Sequence, residues 1–429
     1  SVTNSLHRKG LFEKYSSVFE QQLADGIIEK IDVPPSRYHE YIWVPHRPVI
    51  KTTEQSTFKC RPVFNCSLKV NDTPSINEAA FKGIDLMTNL LKLLLQFRSK
   101  TYAVMSDIRQ AFLMVMLKDE IDKNRFCFFM RDHKGNLVTF RYKTIVFGFT
   151  ASPFCLNYVL KYHASKYPND AISNLLYNNL YVDNFIATSN DESFLEQVYQ
   201  ESRKRMTDGG FELRSWNTNE SKLSEKMDKD CTKVTHGKDC EKVLGYEYYP
   251  ATDTLQLSHV ELNPNADTKR AVLSEIAKIF DPIGIFQPIT IRGRLLIRKM
   301  WIDKLGWDER ASEKDTEIWR QLSLDLSELR SFSFKRNAVH GLDQSLVIFC
   351  DASRVVYGFS AYSVKDNSSN LIFAKNKVAP AKPRSLPTLE LLSVFLALKC
   401  IESIISAYES RTFKSITIGV DAQIILSWV

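Results

Sequence analysis

The 429-residue chain carries 57 Lys and Arg against 50 Asp and Glu, a net charge of +7, with 44% hydrophobic and 25% charged residues. That length suffices for about three domains, and the composition excludes disordered, collagen-like and disulfide-scaffold classes. No apolar run approaches the roughly 20 residues that span a bilayer, and the small basic excess permits a polyanionic partner without requiring one.

In chain order, Lys9 to Glu29 reads as a helix, followed by the breaker Pro34-Pro35. Tyr41-Ile42-Trp43-Val44 and Arg61-Pro62-Val63-Phe64 have strand character. Ile84 to Arg98 predicts a long amphipathic helix, with Leu86, Leu90, Leu93, Leu94 and Phe97 at helical spacing. Thr101 to Ser106 reads as a strand ending on Asp107. Lys123 to Met130 and Leu137 to Lys143 read as a hairpin around residues 132–136, and a helix follows Ser152-Pro153. Leu175 to Leu180 and Phe185 to Thr188 are strand-like runs flanking Tyr181-Val182-Asp183-Asn184, where the Asp-Asn pair suits a tight turn. Glu192 to Met206 reads as a helix. From Asp267 to Leu329 the pattern is helical, broken once at Asp281-Pro282-Ile283-Gly284. From Ser345 strands return, then one long helix and one more strand. There is no repeat.

The eight cysteines form no CxxC pair, and several sit in apolar runs, which fits reduced buried thiols better than a disulfide framework. Cys231, His236 and Cys240 lack a nearby fourth ligand for zinc, so a chance cluster is the preferred reading. Ser1-Val2-Thr3-Asn4 has no signal-peptide pattern, and Ile424 to Val429 ends in an apolar run. Both ends are expected to be cut from a longer polypeptide.

Tyr102 to Ser106 delivers Asp107 at a strand end, and Asp183 caps a second strand-like run. Two carboxylates on neighbouring strand ends can hold two hard cations, and such a pair serves in-line phosphoryl displacement. One strand-end Asp is usually a turn former, so the surrounding motifs decide.

Asp107-Ile108-Arg109-Gln110-Ala111-Phe112 resembles the first catalytic motif of reverse transcriptases. Phe147-Gly148-Phe149-Thr150-Ala151-Ser152-Pro153-Phe154 is similar to their template- and nucleotide-contacting motif, and Tyr181-Val182-Asp183-Asn184 to their Tyr-x-Asp-Asp box. Val243-Leu244-Gly245-Tyr246 resembles the primer grip. Residues 45–51 (PHRPVIK) and 279–284 (IFDPIG) narrow the resemblance to Pao/BEL-type LTR retrotransposons. It implies an α+β right-hand polymerase followed by a truncated RNase H-like α/β domain. The implied boundaries are an N-terminal extension at 1–45, fingers and palm at 46–260, a helical thumb or connection at 261–340 and an incomplete RNase H-like domain at 341–429.

The resemblance also implies roles. Asp107 and Asp183, with Asn184 in place of an acid, would form the catalytic centre and hold two Mg²⁺ or Mn²⁺ ions. Lys51 and Arg61 would face the triphosphate. Phe112 would act as a steric gate against a ribose 2′-hydroxyl, and Gly148 would allow close backbone approach to the nascent base pair. Leu244, Gly245 and Tyr246 would grip the primer. Arg292, Arg294, Arg298 and Lys299 would lie along duplex phosphates. Gly210-Phe211-Glu212-Leu213 resembles the next palm motif without its usual lysine. Asp351, Glu390 and Asp421 match the first three acids of a retroviral-type RNase H, with the fourth expected beyond Val429.

The expected partners are an RNA or DNA template with primer, deoxynucleoside triphosphates and other parts of a pol polyprotein, with no membrane. The expected setting is intracellular, cytoplasmic particle and nucleus being undistinguished. Two rival readings stay open: a catalytically decayed nucleic-acid-binding remnant, for which Asn184 and Asn65 speak, and a Pao-type aspartic peptidase region. The second is weak, because Asp351-Ala352-Ser353 lacks the Gly of the Asp-Thr/Ser-Gly turn.

Overall fold

The computed structural model describes residues 2–52, 58–132, 135–230, 240–339 and 341–428. The chain divides into two compact units. One comprises Ser1–Met87, Asp107–Phe185 and Glu201–Arg214, the other Thr88–Ser106, Ile186–Gln200 and Ser215–Val429.

In the first unit, helix Phe12–Ala24 buries Phe12, Tyr15, Ser16, Phe19 and Gln22, a single stripe at helical spacing. That stripe shares a core with Ile28, Val44, Phe64, Phe128 and Tyr142. Ile28–Lys30, Leu137–Tyr142 and Cys127–Arg131 form a three-stranded sheet in that order. Each buried aromatic contributes about 1.5–3 kcal/mol. Polar groups among them are paired: the Tyr142 hydroxyl donates to Gln22 at 2.6 Å. The Tyr15 hydroxyl donates to His46 Nδ1 at 2.6 Å, and His46 Nε2 donates to the Phe129 carbonyl at 3.0 Å. Burial holds the His46 pKa below its ordinary value, so the ring is neutral and both nitrogens are used. Strands His46–Thr52 and Phe58–Phe64 form an antiparallel ribbon that pairs Val49 with Arg61 and Lys51 with Lys59.

A four-stranded sheet carries the strand-end acids, in the order Leu180–Tyr181, Asn184–Ser189, Tyr102–Ile108, Leu213–Thr218. Ala103, Val104 and Met105 are buried, the pattern of a strand covered on both faces.

In the second unit, Gln344–Ala352, Val356–Lys365 and Ser368–Val378 form an antiparallel meander. Helix Leu386–Ile405 then crosses over to Phe413–Gly419, which pairs parallel with Gln344–Ala352. Two buried arginines tie this sheet to the rest of the unit. Arg98 donates to the carbonyls of Arg336, Leu371 and Ile372, and Arg336 to Asp253 and the carbonyls of Phe97, Lys100 and Thr101. A buried cation is tolerated only when its donors are met, and breaking such a group costs several kcal/mol.

Several sequence expectations are corrected. Lys9 to Glu29 is two helices, Val2–Arg8 and Phe12–Ala24, and then the strand from Ile28. The helix expected over Ile84 to Arg98 is only Leu90–Phe97. Gly83 sits at φ +82°, Asp85 accepts from the Met87 amide, and the Asn89 side chain caps the helix by accepting from Lys92. Tyr41 to Val44 makes only a bridge from Trp43 to Cys127. Lys123 ends a short helix, Glu120–Lys123, and its strand starts at Cys127. Before the acidic tip, Ala171–Asn178 is a helix capped by Asp170, and only Leu180–Tyr181 is strand. Cys231 and His236 lie outside the described residues, and Cys60, Cys66, Cys127, Cys155, Cys350 and Cys400 are free thiols.

Candidate functional site

Asp107 lies in the last turn of its strand, and the Asp183 hairpin is fastened beside it: the Ile108 amide donates to the Asp183 carbonyl at 2.8 Å. Leu180 pairs with Phe185 and Tyr181 with Asn184, so the two-residue turn is Val182-Asp183 and Asn184 opens the returning strand. The sequence reading had placed the Asp-Asn pair in the turn. Val182 has φ +57°, a left-handed conformation that a two-residue hairpin normally gives to Gly. A β-branched residue there stores about 1–3 kcal/mol, a common signature of a site held in shape by its surroundings.

The electrostatics of the pair are mixed. Burial pushes the Asp183 carboxyl above its ordinary range, the Asp107 charge adds to this, and Arg61 and Arg214 oppose it. The Arg214 guanidinium grips Asp107 through Nε at 3.2 Å and Nη2 at 3.3 Å. Asn184 Nδ2 donates to Asp183 Oδ1 at 3.2 Å. Both carboxylates therefore have protein partners. The donor set, two carboxylates and an amide oxygen, still suits a hard divalent ion, with one charge fewer than three acids would give.

Arg214 escaped the sequence reading. Its only signal was position, directly after Gly210-Phe211-Glu212-Leu213, where a cation was sought and a lysine not found.

The nucleotide-side candidates are placed as follows. Arg61 is exposed, has no acid partner among the described residues, and its charge reaches Asp183. Lys51 lies in strand His46–Thr52, paired with Lys59. Phe112 is half-buried in the turn Ala111–Met114, edge-on to Phe147 at 5.1 Å. Asn65 is exposed at the end of the ribbon. Gly148, at φ +107°, is required by the protein itself: a Cβ there would stand 2.0 Å from the Phe64 carbonyl oxygen. Asn77, also missed, clamps this loop by donating to the Gly148 carbonyl and accepting from the Thr150 amide.

Leu244 and Gly245 form the turn between Glu241–Val243 and Tyr246–Tyr249, both with positive φ, as a primed hairpin turn demands. Leu244 and Tyr246 are buried, and the Tyr246 hydroxyl donates to Asp281 at 2.7 Å. Their side chains are thus core groups. Of these three residues only Gly245 is half-buried rather than buried.

The basic helix face is also corrected. In helix Gln287–Ile302, Arg294 and Arg298 donate to the carbonyls of Asn376, Ala379 and Pro380 at the edge of the second-unit sheet. Arg292 pairs with Asp325 and Lys299 with Asp303 and Asp315. Each of these cations thus has a partner within the protein.

The acids of the second unit converge. Asp351 ends the central strand, Asp421 follows the parallel strand, and Glu390 projects from the first turns of helix Leu386–Ile405. One ligand atom from each lies within 4.8 Å of the others. Glu390 is 4% exposed, and its Oε2 is a buried acceptor without a partner. Burial and the charges of Asp421 and Asp351 push its carboxyl above the ordinary range. Three crowded carboxylates with an orphaned oxygen fit a divalent cation. No other three-acid, His or Cys group of this kind occurs among the described residues.

Residues 268–422 match the family described as the Pao retrotransposon-like RNaseH-like domain. No curated protein matches the chain. Among solved structures it is similar to a foamy viral protease-reverse transcriptase in complex with RNA/DNA hybrid, at TM-score 0.60 and 13% identity over 96% of this chain and 49% of that one. It is likewise similar to the dRH form of that protein with double-stranded DNA, at TM-score 0.57 and 13% identity over 95% of this chain and 62% of that one. The chain thus spans about half to two thirds of those two structures. No helix among the described residues is long and apolar enough to cross a membrane. Residues 268–422 therefore resemble the Pao retrotransposon-like RNaseH-like domain family, within a chain that has a mixed α/β fold similar to reverse transcriptase structures.

Proposed function

We propose that this chain is the RNA-directed DNA polymerase core of a retrotransposon pol polyprotein, adding deoxynucleotides to a primer 3′-hydroxyl. The observation that carries this reading is the fastening of Asp183 beside Asp107, with a strained turn at Val182. Its fingers and palm are residues 46–260, its thumb or connection 261–340, and 341–429 its incomplete RNase H-like domain.

Asp107 and Asp183 would hold Mg²⁺ or Mn²⁺, with the Asn184 carbonyl as a weaker third ligand. Bound there, the ions supply activation of the attacking hydroxyl and stabilisation of the leaving oxygen. Arg61, exposed and without an acid partner among the described residues, offers its charge to the triphosphate, and Lys51 shares its ribbon. The Phe112 ring, braced by Phe147, would crowd a ribose 2′-hydroxyl. Arg214 neutralises Asp107 when no ion is bound and must yield when one arrives. The Asp351, Glu390 and Asp421 set would hold the ions of a hybrid-cutting nuclease.

Primer extension on poly(rA)/oligo(dT) tests the reading. Asp183→Ala should abolish extension while leaving primer-template binding in place. Extension that survives Asp183→Ala would refute it. A second reading, a nucleic-acid-binding remnant, draws on one specific observation: both Asp107 and Asp183 are already satisfied by protein groups. Binding without extension by every variant would favour it. The peptidase reading gains nothing, since Asp351 keeps company with Glu390 and Asp421 rather than with a second Asp turn.

A further inference from the structure

Helix Ser152–Ala164 has two very different faces. Leu156, Asn157, Leu160 and Ala164 are buried, and His163 is pinned by a hydrogen bond from Nε2 to the Arg205 carbonyl at 2.6 Å. The other face carries Phe154, Tyr158 and Tyr162, one helical turn apart. Tyr158 and Tyr162 are each 55% exposed, large aromatic rings in water with hydroxyls that have no protein partner among the described residues.

The three rings form a ladder. The centroids of Phe154 and Tyr158 are 5.9 Å apart and those of Tyr158 and Tyr162 6.3 Å, the latter pair parallel to within 2°. That repeat follows from four residues at about 1.5 Å rise. It is close to the spacing of two stacked bases, roughly 6.8 Å at about 3.4 Å each. Cations continue the track. Lys166 Nζ lies 4.6 Å over the Tyr162 ring, and no carboxylate pairs with it among the described residues. Half-buried Lys161 lies 4.1 Å over the ring of exposed Tyr177 and donates to the Tyr177 carbonyl at 2.7 Å, which fixes its charge beside the track. At the other end, Gly83 packs on the Phe154 ring, and next to it Phe81 is 84% exposed.

Charge identifies the partner. No Asp or Glu occurs between Asp132 and Asp170, so the helix and its approaches carry only cations. An aromatic face without cations would suit an apolar protein partner, and a basic face without rings would suit duplex phosphates. Rings interleaved with lysines suit a single strand, whose exposed bases stack while its phosphates meet the cations.

We propose that the Phe154-Tyr158-Tyr162-Lys166 ladder is a stacking track for single-stranded nucleic acid. The inference rests on the reading of the chain as a nucleic-acid polymerase and adds to it a strand-holding surface apart from Asp107 and Asp183. Because stacking is blind to base identity, the track should be tolerant of sequence.

Fluorescence anisotropy with the full chain provides the test, using a labelled oligo(dT) single strand and a blunt duplex of equal length. Tyr158→Ala/Tyr162→Ala should weaken single-strand binding by about ten- to a hundredfold and leave the duplex unaffected, while Tyr158→Phe/Tyr162→Phe binds as the wild type does. Lys166→Glu should lower single-strand affinity and flatten its salt dependence by about one unit of slope. Both tyrosines are exposed and Ala is the better helix former, so the Ala variant folds. Equal single-strand binding by wild type and the Ala variant would overturn the proposal. So would a wild-type dimer that the Ala variant converts to monomers in sedimentation, which would make this face a contact between copies. If wild type binds neither probe, the polymerase reading itself falls, an outcome distinct from failure of the ladder alone.

Discussion

The two acid sites of this molecule solve opposite electrostatic problems. Asp107 and Asp183 are balanced from within: Arg214 neutralises one, and Asn184 donates to the other in place of a third charge. Asp351, Glu390 and Asp421 are crowded with no cation paired to them among the described residues; only the Ala352 amide donates to Asp351, and the buried Glu390 Oε2 has no partner there. A self-balanced pair is stable without an ion and binds one weakly. An unbalanced triad is costly until a cation enters. The comparison teaches that counting acids in a sequence does not measure demand for metal; the partners of those acids do.

The largest expected effect breaks this contrast from the first side. Asn184→Asp adds the missing charge, and primer extension should rise about a hundred- to a thousandfold, the scale for one electrostatic group at a reacting centre. The next tests the second side. Wild type should gain about 2.7 kcal/mol of stability at an Mg²⁺ concentration a hundred times the dissociation constant. Glu390→Gln should lose most of that gain, read as the shift in unfolding midpoint on adding Mg²⁺. Equal shifts in both proteins would mean that Glu390 holds no ion.

Acid should separate the two regions further. The His46 pKa is depressed in the folded state, so the unfolded chain takes up that proton first as pH falls. The contribution is complete above the unfolded value near 6.5 and is lost as pH drops towards the folded one. The loss is about 1.4 kcal/mol per pH unit in that window. Hydrogen exchange should accordingly rise in helix Phe12–Ala24, which bonds His46 through Tyr15, and not in strand Gln344–Ala352. His46→Gln should remove the pH dependence.

The smallest effect concerns Arg214. Its pair with Asp107 is about half exposed on the arginine side, so it is worth no more than about 1 kcal/mol. Arg214→Gln should raise Mn²⁺ affinity at Asp107 by no more than about fivefold, measured by calorimetry in a Glu390→Gln background.

Much of this was legible in the sequence where the signal is local. Asp107 and Asp351 end apolar runs, and an apolar strand that stops on an acid carries its function in its pattern. Registers were not legible: one position decides whether Asn184 sits in the turn or in the strand, and only the pairing of Tyr181 with Asn184 fixes it. Helix length misled where non-periodic groups intervened, as Gly83, Asp85 and Asn89 do before Leu90. Long-range charge pairing was invisible. Arg294 and Arg298 look like phosphate ligands until their carbonyl partners some 80 residues away are known. The same holds for Arg98, Arg336 and Arg214, whose partners no sequence period predicts.

In the proposed function, Asp107 and Asp183 form a nucleotidyl-transfer site that Asn184 weakens without destroying. Primer extension on poly(rA)/oligo(dT) with Mg²⁺ and with Mn²⁺, comparing wild type with Asn184→Asp, tests it most directly. Wild type should extend slowly, and the variant should gain about two to three orders of magnitude. Binding of the primer-template by both proteins with extension by neither would contradict it.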